Sequence, residues 1–216
     1  QNPSIWNYDI GTGTNGWGNN EEQYYTDDPS NVIIEDGNLK ITAKAESFMG
    51  SNYTSSRIRS EDLFEFQNGR VEIRAKLPEG GGTWPAFWML GSNFDQVVWP
   101  ESGEDDIMEH VGNNQDVILG TVHWDNAGSN ASFNETLNVP NVSSEFHVYT
   151  LEWRDNEILM AVDDEVYFTF GYDETFPFNQ NFFLIINVAM GGNLGGAIDP
   201  GFTESTLEVD YIRVYQ

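Results

Sequence analysis

A strict two-residue alternation recurs along this chain and limits what it can fold into. In RVEIRAKL (70–77), Val71, Ile73, Ala75 and Leu77 fall on one side, and Arg70, Glu72, Arg74 and Lys76 on the other. Such a pattern suits a strand with one face in a core and one in water. Segments 39–45, 146–153, 158–163, 182–190 and 207–215 read as strands too. They are rich in β-branched and aromatic residues and bounded by Gly, Asn, Asp or Pro. No stretch of helical length carries a 3.6-residue period. Many strands joined by irregular polar loops predict an all-β sandwich or jelly roll. Without a repeat or linker, residues 1–216 are expected to form one domain. The polar first thirty residues suit a long loop laid over a face.

Charge narrows the function. Acidic residues number 35 and basic residues 9, a net charge of −26. Phosphate contacts need Lys and Arg, so nucleic acid is excluded as a partner. An anionic membrane surface is excluded on the same ground. A neutral substrate fits best, with the acidic surface serving solubility, in keeping with a salty medium. The chain has no cysteine, which excludes disulfide scaffolds, Cys-ligated zinc and thiol catalysis. No apolar run reaches the ~18 residues of a membrane span. Gln1 opens a polar stretch, as expected of a mature terminus or an excised module. Sequons at Asn52, Asn130, Asn134 and Asn141 are too short a pattern to carry weight.

One cluster carries chemistry. Residues 99–112 read WPESGEDDIMEHVG, with Glu104, Asp105, Asp106 and Glu109 close together. On a regular strand Glu104, Asp106 and Met108 share a face and Glu109 points away. A β-bulge after Asp106 would bring Glu109 onto the same face. Three acids on one surface suit a retaining glycosidase, which needs two carboxyl groups ~5–5.5 Å apart in different protonation states. The alternatives are a solvated acidic turn or a calcium loop. Apolar Ile107 and Met108, with Trp99-Pro100 and Val111-Gly112 as brackets, argue for a strand.

GEDDIMEHVG resembles the ExDxxE signature of glycoside hydrolase family 16, in its laminarinase-like branch. GWGNNEEQYYT (16–26), DGNLKITA (36–43), YTSSRI (53–58), GRVEIRAKLP (69–78), GTWPAFWMLG (82–91), GTVHW (120–124), FHVYTLEW (146–153), NVAMGGNLGG (187–196) and VDYIRVYQ (209–216) look like family blocks in family order. The resemblance implies a jelly roll of two curved antiparallel sheets with a concave substrate cleft. It implies endo-hydrolysis of β-1,3-glucan with retention, with Glu104 as nucleophile, Glu109 as acid/base and Asp106 as the helper between them.

The resemblance also suggests the rest of the cleft. Alternation in GTWPAFWML puts Trp84, Ala86, Trp88 and Leu90 on one face and Phe87 and Met89 on the other. The family implies that the Trp88 face is the concave one. Trp84, Trp88 and Trp99 are expected at sugar subsites; the alternative is that all three are core. His123 is expected beside Asp106 and Glu109, where it can tune them. Asn19 and Arg57 match positions that hydrogen-bond sugar hydroxyls. His110 and His147 are read as structural, and Glu21 and Glu22 as solvated. Many family members carry one structural Ca²⁺; the matching ligands here are the Gly37 carbonyl and Asp210, with a third from the N-terminus. Catalysis itself needs no cofactor.

Three departures stand out. Asp105 occupies a usually apolar position and should point between the sheets, which calls for local solvation or a partner such as an Arg. Leu194 replaces a common Trp and removes a sugar platform. The family's usual first strand does not precede Asn2-Pro3. The expectation is a secreted, monomeric endo-β-1,3-glucanase whose partner is a β-glucan. The alternatives are a mixed-linkage β-1,3-1,4-glucanase and a non-catalytic glucan-binding protein of the same fold.

Overall fold

The alternating segments form the two layers of a sandwich. A computed structural model describes residues 4–216; Gln1, Asn2 and Pro3, and with them the expected N-terminal calcium ligand, lie outside the described residues. In chain order the strands begin with β1 (Asn7–Asp9), β2 (Gln23–Tyr25), β3 (Val32–Glu35), β4 (Asn38–Phe48), β5 (Ser51–Ser55) and β6 (Arg57–Arg59). There follow β7 (Glu65–Phe66), β8 (Gly69–Lys76), β9 (Thr83–Gly91), β10 (Glu104–His110), β11 (Val117–Asp125) and β12 (Asn130–Asn138). The last are β13 (His147–Arg154), β14 (Glu157–Val162), β15 (Glu165–Gly171), β16 (Phe182–Met190) and β17 (Glu204–Tyr215).

An eight-stranded sheet runs β1-β6-β16-β9-β10-β11-β12, with β7 beside β16. A nine-stranded sheet runs β15-β14-β13-β8-β17-β4-β5-β2, with β3 beside β4. Pairing is antiparallel except between β2 and β5, which are parallel. The polar N-terminal segment is therefore not all loop: it lends β1 to one sheet and β2 to the other, and Gln23 and Tyr25 are fully buried.

The core lies between the sheets, as the alternation requires. Val71, Ile73 and Ala75 of β8 are buried there, facing Phe87, Met89, Met108, Val122 and Ile186 of the other layer. Aromatic pairs cross the gap: Phe87 to Tyr149 at 5.7 Å and Trp153 to Phe182 at 5.2 Å between ring centres. Each fully buried side chain of this size contributes about 1.5–3 kcal/mol. The outward residues of β8 are zipped to neighbouring strands by Arg70–Glu152, Arg74–Asp210 and Lys76–Glu208 ion pairs, each at 2.6 Å. Exposed pairs of this kind contribute about 0–1 kcal/mol each. The basic residues sit almost wholly on this sheet. In the eight-stranded sheet only Arg57 and Arg59, both on β6, are basic.

Candidate active site

The site is built on the outer face of the eight-stranded sheet. Glu104, Asp106 and Glu109 all belong to β10, the strand between β9 and β11. Its register shifts after Asp106 against both neighbours. That bulge takes up Ile107, leaves Met108 buried in the core and turns Glu109 to the outer face. Directly opposed residues share a face. One row across the sheet reads Phe183, Leu90, Glu104, His123, Ser132. The next reads Arg59, Ile185, Trp88, Asp106, Thr121, Asn134. The third reads Arg57, Asn187, Ala86, Glu109, Leu119, Thr136. Gly103 feeds β10 at φ 78, and a Cβ there would lie 2.8 Å from Pro177 Cγ. Only glycine fits the entry to Glu104.

Each carboxylate has its own surroundings. Glu104 is half-buried, and the Trp99 indole Nε1 donates to its Oε2 at 2.5 Å. Asp106 is 4% exposed, and burial holds its carboxyl well above the ordinary range, helped by the charges of Glu104 and Glu109. Glu109 is pushed up to about 7, chiefly by burial, while the hydrogen bond it accepts from Trp84 Nε1 at 2.9 Å pulls it down. His123 Nε2 lies 3.5 Å from Asp106 Oδ2, and its Nδ1 lies 3.2 Å from Asn130 Oδ1. Trp99 packs against the His123 ring at 5.8 Å.

The expected aromatic residues come together here. Trp84 and Trp88 face outward on β9 while Phe87 and Met89 go to the core, as the alternation requires. The Arg57 guanidinium lies between two indoles, 4.7 Å from Trp17 and 4.8 Å from Trp88. Asn19 sits in a single π-helical turn, Gly16–Asn20, in which Gly16 takes φ 58. Its Nδ2 donates to Glu21 Oε1 at 3.5 Å. Leu194, 37% exposed, lies in the short helix Gly192–Gly195 that packs on this turn.

Sequence reasoning missed several partners. Glu21 is not simply solvated: Gln23 Nε2 donates to its Oε2 at 2.6 Å and the Tyr25 hydroxyl at 3.1 Å. Asn187 Nδ2 donates to the Tyr25 hydroxyl at 3.1 Å, and Trp88 Nε1 donates to Asn187 Oδ1 at 2.8 Å. This chain links Asn19 to Trp88. The signal was present, because Asn187 is the one polar residue in the otherwise apolar run 182–190. His110 is buried, and His147 Nδ1 lies 2.6 Å from Asp163 Oδ2.

Asp105 follows neither expected route. It is 2% exposed, faces the core between Val122 and Met89, and has no Arg or Lys in reach among the described residues. Burial pushes its carboxyl up to about 8, so the group is a neutral acid at neutral pH.

Metal ligands were expected at Gly37 and Asp210. Both line one hollow of about 400 Å³, which shares no residue with the carboxylate site. Its other lining is largely apolar, including Trp6, Leu39 and Ile212, and Asp210 Oδ2 is held by Arg74. Calcium takes six to eight oxygens. A carboxylate already paired with a cation among apolar side chains does not fit that demand. Glu104, Asp106 and His123 each offer a ligand atom within 4.8 Å of one another, but these are the acids and imidazole of the cleft itself.

Three outward carboxyl groups in unequal environments, walled by indoles on a two-sheet sandwich, define a carbohydrate-cleaving enzyme. The chain belongs to the glycosyl hydrolases family 16, whose model matches residues 19–213. It is 42% identical to a β-glucanase of Rhodothermus marinus, over 99% of this chain and 80% of that protein. It is 37% identical to a glucan endo-1,3-β-glucosidase of Cryptopygus antarcticus, over 96% of this chain and 85% of that one. Its fold matches a LamA variant of Zobellia galactanivorans, solved with laminaritriose and laminaritetraose, at a TM-score of 0.93 and 37% identity. That match covers all of this chain and 94% of the other.

Proposed function

We propose that the chain hydrolyses internal β-1,3 linkages of a neutral glucan with retention of configuration, through Glu104, Asp106 and Glu109. The observation that carries the reading is the difference between two carboxyl groups on one face of β10. Glu104 is partly exposed and accepts from Trp99, whereas Glu109 is buried and pushed up to about 7. A retaining glycosidase needs this division between nucleophile and acid.

In the first step Glu104 attacks the anomeric carbon while Glu109 gives its proton to the leaving glycosidic oxygen. The C–O bond breaks and a glycosyl ester forms on Glu104. In the second step Glu109, now a carboxylate, takes a proton from water. The hydroxide equivalent attacks the same carbon and releases Glu104. Asp106, kept protonated by burial and by its neighbours, donates a hydrogen bond toward Glu104. Trp84, Trp88, Trp99, Arg57 and Asn19 bind the sugar rings and His123 borders the centre.

The named activities of the relatives support the β-1,3 linkage. Neutral substrate chemistry is supported by charge: the face carries several carboxylates, and its two arginines are matched by two acids, Arg57 by Asp9 and Arg59 by Glu61. A polymer of this kind is met outside the cell, which supports a secreted enzyme.

Reducing-sugar release from laminarin, beside lichenan and agarose, with Glu104→Ser as control, tests the reading. Laminarin turnover that vanishes in the control is expected. Faster release from lichenan would move the assignment to mixed-linkage glucan. Laminarin binding without turnover would make the protein a glucan-binding module.

A further inference from the structure

Arg57 reaches the cleft in an unusual setting. Its guanidinium is stacked between Trp17 of the π-helical turn and Trp88 of β9, two elements that are not neighbours in either sheet. Stacking alone leaves a guanidinium free to slide and rotate in its plane. Asp9 restricts that freedom by charge, as an ion pair rather than as an aligned hydrogen bond. Its Oδ2 lies 2.8 Å from Arg57 Nε, the inner edge of the group, and Asp9 is the one acid that ion-pairs with Arg57 among the described residues. Its Oδ1 lies 3.2 Å from Arg59 Nε, and Arg59 is pinned in turn by Glu61 at 2.5 Å. Both members of the central pair are nearly withdrawn from water, at 11% and 9% side-chain exposure. A pair this enclosed is screened little, unlike the ion pairs on the outer sheet.

The backbone supports the same reading. β1 is three residues long and pairs with β6, with Asp9 opposite Arg57. Tyr8 lies opposite Ile58, and Asn7 opposite Arg59. The strand ends at the residue that meets the arginine.

We propose that Asp9 is a positioning residue for substrate binding: its buried charge holds the Arg57 guanidinium at Trp17 and Trp88, where it meets the sugar. The inference rests on the glucan-binding role given to Arg57 above. It also assigns β1 a task, since the strand brings Asp9 to β6. Asp9 makes no contact with the reacting atoms, so its loss should weaken binding and leave the chemical step alone. Removal of an enclosed charge partner of this kind should cost about tenfold in affinity.

The test is a double-mutant cycle of Asp9→Asn and Arg57→Ala on laminarin, with KM and kcat read separately. Laminaritetraose affinity is measured by calorimetry in a Glu104→Ser background. Asp9→Asn is expected to raise KM and Kd about tenfold with kcat within twofold of wild type. It should add little to Arg57→Ala, because both act through one group. Asp9→Glu should restore part of the loss. Arg57→Lys, which leaves Asp9 in place but loses the planar fork, should raise KM as Asp9→Asn does. An Asp9→Asn protein with wild-type KM and Kd overturns the proposal. So do additive effects with Arg57→Ala, a fall in kcat at constant KM, or an Arg57→Lys protein that binds normally. Should wild type bind laminaritetraose without turning laminarin over, the glucanase reading fails while the calorimetric cycle still decides the role of Asp9. Absence of any binding rejects both.

Discussion

Trp84 and Glu109 lie on adjacent strands, and the indole nitrogen of one donates to Oε1 of the other at 2.9 Å. Both side chains are buried to within 9% of full exclusion from solvent. The bond therefore acts in a medium that screens it poorly. It favours the ionised carboxylate, against the burial that favours the acid. In the proposed mechanism Trp84 thus serves Glu109 as well as the sugar, because its indole bond holds the carboxyl down against burial.

Trp84→Phe should move the alkaline limb of kcat/KM upward. The indole bond lowers the Glu109 pKa, so its removal raises it above about 7. The protonated acid then persists to higher pH, while deglycosylation, which needs the carboxylate, slows at low pH. A pH–rate profile of both proteins checks this, and an unmoved limb would separate Trp84 from the titration.

Asp105→Leu should stabilise the protein, most at alkaline pH. The folded state raises the Asp105 pKa from 3.8 to about 8. Between those values the folded chain keeps a proton that the unfolded chain has released. Stability therefore falls as pH rises through this window, by about 1.4 kcal/mol per pH unit for one group. Leucine removes that contribution, and Asp106 and Glu109 keep theirs. Thermal melts at pH 5 and pH 8 should show a smaller drop in the variant. An equal drop in both proteins would mean that Asp105 does not hold the proton.

Leu194→Trp should lower KM for laminarin with kcat unchanged. The side chain is exposed on the short helix that packs on the π-helical turn, beside Asn19. An added indole offers a ring face to a sugar, and an aromatic contact contributes about 1 kcal/mol, or roughly fivefold. Steady-state kinetics on laminarin and on short oligosaccharides would show the gain only where the chain reaches that turn.

Calcium should leave stability unchanged. Asp210 is committed to Arg74, and the hollow around it and Gly37 is mostly apolar. Melting temperatures in EDTA and in millimolar Ca²⁺ should agree within about a degree. A clear rise in calcium would show that the ion displaces Arg74.

Much of this arrangement was legible in the alternation of side chains. Phe87 and Met89 inward with Trp84 and Trp88 outward follows from a period of two. The bulge followed from the need to bring Glu109 onto the face of Glu104. What escaped were relationships without a local pattern. β1 is too short to alternate, and Asp9 meets Arg57 only through long-range pairing. β12 is an edge strand whose outward positions are Asn, Ser and Thr, so it lacked the apolar density of its neighbours. The fate of Asp105 was posed as solvation or an ion pair, yet the interior supplies a third solution, a retained proton.

The bulge in β10 also uncouples the spacing of the two glutamates from the face they share. On a regular strand residues share a face only at even separations, yet Glu104 and Glu109 are five apart. Deleting the codon for Ile107 would leave a regular pleat in which Met108 still enters the core and Glu109 still looks outward, four residues from Glu104. Such a gene would keep all three acids on one face and lose only the extra twist that the bulge gives the strand. A residue added with no bulge to absorb it would instead exchange every side chain beyond it between the two faces.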